Sequence, residues 1–108
     1  MDKVTLNHAS ANISPFAIDD EVNEKVRILT HLEVEKEHRG KGEAKALLDK
    51  IGKEADQAQI AIITEPKPYD DEGLKIKQLI NLYKQSGFVE LQQKPLILVR
   101  YPKQLTVT

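Results

Sequence analysis

Along the chain, alternating apolar and polar positions give way to helical spacing and then return to alternation. Within residues 3–18, the pairs Val4/Leu6 and Phe16/Ile18 predict two short strands, broken at Ser14-Pro15, and Asp19-Asp20-Glu21 reads as a turn. The clearest strand follows. Val26, Ile28, Thr30, Leu32 and Val34 are predicted on one side, with Arg27, Leu29, His31, Glu33 and Glu35 on the other. After a charged loop, Ala44, Leu47, Leu48, Ile51 and Ala55 fall on one stripe of a helix over residues 42–56, which Gly52 weakens. Ile60-Ala61-Ile62-Ile63 is a short β-branched run, expected as a strand covered on both faces.

The segment from Pro66 to Asp71 carries two prolines and is expected to be a loop. A second helix is predicted over residues 72–86 with Leu74, Leu79, Leu82 and Tyr83 inward. Gly87 then stands at its left-handed cap, and Phe88 packs back on the last turn. Strands at residues 88–91 and 96–101, joined through Gln93-Lys94-Pro95, complete a β-β-β-α-β-α-β-β order. That order implies one α+β domain over residues 1–108.

Composition narrows the chemistry. With 16 Lys and Arg against 17 Asp and Glu, the chain lacks the positive excess of most nucleic-acid binders, and no nucleic-acid partner is expected. There is no cysteine, which removes disulfides, thiolate metal sites and cysteine nucleophiles. The three histidines (His8, His31 and His38) are far apart in sequence, so no metal site is expected. No apolar run approaches the roughly 18 residues of a membrane span and the first residues carry no signal-like apolar stretch, so a cytoplasmic protein is the expectation.

The chemically informative segment is Arg39-Gly40-Lys41-Gly42-Glu43-Ala44, set between a strand and a helix. The first turn of a helix leaves N–H groups without intrahelical acceptors and carries partial positive charge. Glycines there let backbone approach phosphate oxygens closely, and Arg39 and Lys41 add charge for an anion. A P-loop would need Ser or Thr after Gly-Lys, and a dinucleotide fingerprint would need a third glycine where Lys45 stands.

The segment resembles motif A of the GNAT acetyltransferases, [Gln/Arg]-x-x-Gly-x-[Gly/Ala]. The preceding Leu32-Glu33-Val34 is similar to that family's Leu-x-Val, and Leu82-Tyr83-Lys84-Gln85-Ser86-Gly87-Phe88 is similar to its Leu-Tyr-x-x-x-Gly-Phe. The resemblance spans residues 25–101. It implies an α+β, GNAT-like sheet that is mixed but mostly antiparallel, with helices on its faces. Only 24 residues precede Lys25, where the resemblance begins, so the family's usual N-terminal helix pair is expected to be missing.

The resemblance further implies acetyl-CoA as co-substrate, with the backbone from Arg39 to Ala44 (Gly40, Lys41 and Gly42 between them) on its pyrophosphate. Leu32 and Val34 would pair with the pantetheine arm, and an N–H near Val34 would polarise the thioester carbonyl. Tyr83 is placed as the acid for the leaving thiolate. Glu65 is placed as the base, with Glu33 and His31 as alternatives. Ile76 stands where many members carry asparagine. The implied activity is N-acetyl transfer to an amine-bearing acceptor, a protein or another large molecule, with a homodimer or the acceptor itself closing the site. The alternative is a module that binds acyl-CoA without turnover.

Overall fold

The computed structural model describes residues 2–15, 25–67 and 76–103. The expected strand at Phe16/Ile18, the turn at residues 19–21 and the start of the second helix with Leu74 lie outside them, as do residues 68–71 of the proline-containing loop.

The strands are β1 (Asp2–Leu6), β2 (Ala9–Pro15), β3 (Val26–Val34), β4 (Ala61–Thr64), β5 (Val89–Gln93) and β6 (Leu96–Arg100). The helices are α1 (Glu43–Ala58) and α2 (Ile76–Gln85), and a 3-10 turn covers Lys36–His38. The six strands form one sheet in the order β1-β2-β3-β4-β6-β5. Among the described strands only β3 and β4 pair in parallel, joined by the crossover through α1. The expected α+β architecture with a mostly antiparallel sheet is the observed one. Among the described residues no α-helix precedes β3, and none is long and apolar enough to cross a membrane.

Three details differ from the sequence reading. The first hairpin turns at Asn7-His8, with Leu6 opposite Ala9, so Ser14 and Pro15 fall inside β2. Asn7 adopts φ 54°, the left-handed conformation a two-residue hairpin turn requires and asparagine tolerates. Strict alternation along β3 also fails. Its register against β2 shifts between Ser10–Glu33 and Asn12–Thr30, so His31 and Leu32 together face Ala11. His31 takes φ 55°, and this one-residue bulge turns Leu32 and Val34 onto the side of Leu29. In β4, only Ile62 and Thr64 are buried; Ile63 looks the other way and is half-buried, so the strand is not covered equally on both faces.

The core is one cluster. It joins Ala9 and Ala11 of β2, Leu29 of β3, Leu47, Leu48, Ile51 and Ala55 of α1, Ile62, Leu79, Tyr83, Phe88 and Leu98. Four of the five residues predicted for the α1 stripe are therefore in the core, while Ala44, in the first turn, is half-buried. Helix α2 ends as expected: Gly87 has φ 100°, its N–H reaches the Lys84 carbonyl, and the Phe88 N–H reaches the Tyr83 carbonyl. Phe88 then packs edge-on against Tyr83 with ring centres 5.0 Å apart.

One ion pair ties both helices to the last strand. Arg100 is 6% exposed, and its Nη1 and Nη2 donate to the two carboxylate oxygens of Asp56 in α1 at 2.8 and 3.0 Å. Its Nε donates to the carbonyl of Ser86, just past α2, at 3.3 Å. The Lys103 N–H also donates to Asp56, at 2.8 Å. Guanidinium and backbone donors together hold the Asp56 carboxyl below its ordinary range. Both described helices thus meet the sheet face that carries Arg100. A Cβ on Gly52 would lie 2.9 Å from Nε and Nη2 of that guanidinium, so the glycine in mid-helix makes room for it.

Candidate functional site

The site is built on a fork in the sheet. Strands β3 and β4 pair only through Val26–Ala61, Arg27–Ile62 and Ile28–Ile63, and then separate. The next rung would join Leu29 to Thr64. Instead the buried Thr64 hydroxyl donates to the Leu29 carbonyl at 3.0 Å, ending the ladder with a side chain. From Leu29 to Val34, β3 keeps β2 on one edge and, among the described residues, has no strand on the other. Backbone groups on such an edge need a partner from solvent or a ligand.

A cleft of about 730 Å³ opens at this fork. Thr30, His31 and Leu32 line it from β3, Ile63, Thr64 and Glu65 from β4 and its end, and Tyr83 from α2, with Leu91 and Ile97 beyond. The sheet therefore brings Leu32, Glu65 and Tyr83 together. Tyr83 is 3% exposed, and burial pushes its phenol up to about 12 despite an opposing hydrogen bond with the Thr64 hydroxyl. The Thr64 hydroxyl thus stands between the Tyr83 phenol of α2 and the Leu29 carbonyl of β3.

Glu65 is exposed and faces Lys67 at 3.7 Å. His31 also reaches the cleft, its Nδ1 3.1 Å from the Thr30 hydroxyl and 3.3 Å from the Asn12 amide. Glu33 is half-buried on β3 and does not line the cleft.

The free half of β3 leads into the glycine loop. Arg39 does not reach outward through its Nε, which donates to the Val34 carbonyl at 2.9 Å and fastens the loop to the strand end. Gly40 and Gly42 take φ 81° and 78°, conformations that side chains rarely adopt. A Cβ at either position would meet nothing within 4 Å, so the loop faces open space. Gly42 is also the N-cap of α1 and supplies no capping side chain. The first N–H groups of α1, from Glu43, Ala44 and Lys45, are the ones a helix leaves without an intrahelical acceptor. Lys41 is exposed beside them. This combination of open glycine backbone, uncapped helix start and a nearby cation fits an anionic group.

Two features have no signature in the sequence. Thr64 sits at the end of an apolar run, and only the three-dimensional fork gives its hydroxyl a role. The histidines, expected to be scattered, are not. His8 and His38 stack face to face with ring centres 3.3 Å apart and planes 3° from parallel, and both adjoin the Glu43 carboxylate. His8 donates its backbone N–H to Glu43 Oε1 at 3.0 Å. That bond first, then the His8 ring, holds the Glu43 carboxyl below its ordinary range.

No family model and no curated protein sequence matches the chain. Solved structures do. The anti-CRISPR protein AcrVA5 superposes with a TM-score of 0.68 at 18% identity, over 91% of this chain and 95% of its own. Ard1 from Thermoplasma volcanium superposes with a TM-score of 0.62 at 15% identity, over 89% of this chain; the match spans 64% of the Ard1 chain. At these identities the likeness is one of architecture. The chain has a GNAT-like fold.

Proposed function

We propose that this GNAT-like chain is an acetyl-CoA-dependent N-acetyltransferase acting on an amine carried by a protein or another large acceptor. The observation that carries the reading is the fork. Between the Leu29 and Val34 carbonyls, which Thr64 and Arg39 occupy, the β3 edge faces no described strand, and it leads through the 3-10 turn into an uncapped, glycine-lined helix start. An extended pantetheine arm with amide groups suits the first part, and a pyrophosphate suits the second.

The thioester supplies the activated acyl group; the residues of this chain position it and manage two protons. One proton leaves the attacking nitrogen and one reaches the departing sulfur. A free lysine amine is neutral in only about one molecule in two thousand at pH 7, so a base near the cleft accelerates attack. Glu65 holds that role in this reading, and His31 is the other group in reach of the cleft. Backbone N–H groups of the open β3 edge near Val34 polarise the carbonyl.

Tyr83 assists the sulfur. With its phenol at about 12, full transfer to a thiolate of ordinary pKa near 8.5 runs uphill by roughly 5 kcal/mol, so its main contribution is a hydrogen bond that strengthens as charge develops. Tyr83→Phe keeps the ring against Phe88 and removes only the hydroxyl. Turnover falls about 100-fold while acetyl-CoA affinity stays within about twofold, measured by steady-state kinetics and calorimetry. Equal turnover in the variant would return Tyr83 to a packing role.

The acceptor is expected to be large because no helix precedes β3 among the described residues to enclose the reacting end of the cleft. An open site discriminates poorly between small amines. Release of free CoA thiol is measured with lysine-containing polypeptides and with a panel of small amines. Release with polypeptides alone supports the reading. Binding of acetyl-CoA with no thiol released by any amine favours a non-catalytic acyl-CoA module instead. Absence of binding removes both.

A further inference from the structure

We propose that His8, His38 and Glu43 form a binding site for one divalent transition-metal ion of the zinc class. The three residues come from separate segments: the β1–β2 turn, the 3-10 turn and the first residue of α1. A ligand atom of each lies within 4.8 Å of the others. The His8 Nδ1 stands 2.9 Å from Glu43 Oε1, and the His38 Nδ1 stands 3.9 Å from Oε2. Two imidazole nitrogens and a carboxylate are a donor set zinc accepts, with a fourth position open to water.

The carboxylate of the cluster is already held from outside. The His8 backbone N–H fixes the Glu43 carboxylate at 3.0 Å, an outer hydrogen bond of the kind that aims first ligands. The Glu35 N–H donates to the His8 carbonyl at 2.9 Å and pins the turn to the end of β3. The Glu43 side chain is 13% exposed while the imidazoles are 42% and 31% exposed, so the carboxylate is shielded and the outer side admits an ion and its waters.

A tetrahedral ion with bonds of about 2.0–2.1 Å needs donors roughly 3.4 Å apart, so the cluster contracts by about 1 Å on the His38 side. The stacked rings, 3° from parallel, must also turn substantially out of the stack, so that both in-plane lone pairs converge on one point; the second side-chain torsion of histidine is broad enough to allow this. A bound ion would join a hairpin turn to the start of α1 across 35 residues of sequence, beside the glycine loop.

The test uses the untagged full chain, stripped with chelator and titrated with Zn²⁺ alone at pH 7.5. One equivalent binding with micromolar or tighter Kd is expected, and the melting temperature rises with Zn²⁺. His38→Ala and Glu43→Gln each weaken binding at least tenfold, whereas His31→Ala, the histidine outside the cluster, leaves it unchanged. Circular dichroism without metal establishes that each variant is folded. Co²⁺ offers a second measurement on the unaltered chain, with visible absorption bands of a four-coordinate ion. A stoichiometry below half an equivalent, unchanged affinity in folded His38→Ala and Glu43→Gln, or a Co²⁺ spectrum like that of the free ion overturns the proposal. Because the probe is the metal alone, the result stands apart from whether the chain binds acyl-CoA.

Discussion

Gly42→Glu should weaken acetyl-CoA binding at least 100-fold while leaving the protein folded. Gly42 caps α1 at φ 78°, and a Cβ there touches nothing within 4 Å. The cost to folding is then confined to the left-handed backbone, about 1–2 kcal/mol. The cost to binding is larger, because the new carboxylate projects into the open space before the uncapped helix start, where the phosphates would lie. A 100-fold loss corresponds to about 2.8 kcal/mol, within reach of one misplaced charge in an anion site. Gly42→Asn separates the two effects, since asparagine tolerates this backbone and carries no charge. Its affinity should fall about tenfold. Calorimetric affinity unchanged in the folded glutamate variant would remove the loop from the binding site.

Asp56→Ala should destabilise the domain by about 3 kcal/mol, because it strands the Arg100 charge inside without its carboxylate. For a chain of 108 residues that lowers the melting temperature by roughly 12 °C. The companion Asp56→Ala/Arg100→Met removes both charges and should recover much of the loss. A pH dependence follows from the same pair. The folded Asp56 carboxyl titrates below its unfolded value near 3.9, so its contribution is complete above about pH 5. It fades as pH falls through 3.9 and is gone below the lower, folded value. The single variant should therefore lose stability less steeply on acidification than the unaltered chain. Denaturant titrations from pH 7 to pH 3 measure both effects, and a single-variant loss under about 1 kcal/mol would mean solvent already screens Arg100.

What could be read from the sequence was what repeats or what closes locally. The α1 stripe and the Gly87–Phe88 helix end emerged where their spacing put them, since helix contacts recur every three or four residues and the cap lies within six. The glycine loop was legible for the same reason. The His31 bulge was not, because an extra residue in a strand leaves no mark on composition and shows only against the register of β2. The Thr64 hydroxyl at the fork and the grouping of His8 with Glu43 each join residues 35 apart. No local pattern announces such meetings. Tyr83 and Glu65 line one cleft, yet their unlike surroundings, one enclosed and one wet, depend on the packing of α2 against the sheet.

Gly52 bears on how this domain should be redesigned for thermal robustness. A helical glycine is the first position a stabilising design would change, since alanine in an exposed helix gains up to about 1 kcal/mol. Here the methyl group would press on a guanidinium already committed to Asp56 and to the Ser86 carbonyl. Gly52→Ala alone should therefore lower the melting temperature, whereas the same change in the Asp56→Ala/Arg100→Met background should raise it. The order of substitutions decides their sign, so optimising the chain one position at a time would discard a change that becomes favourable only after its neighbour has gone.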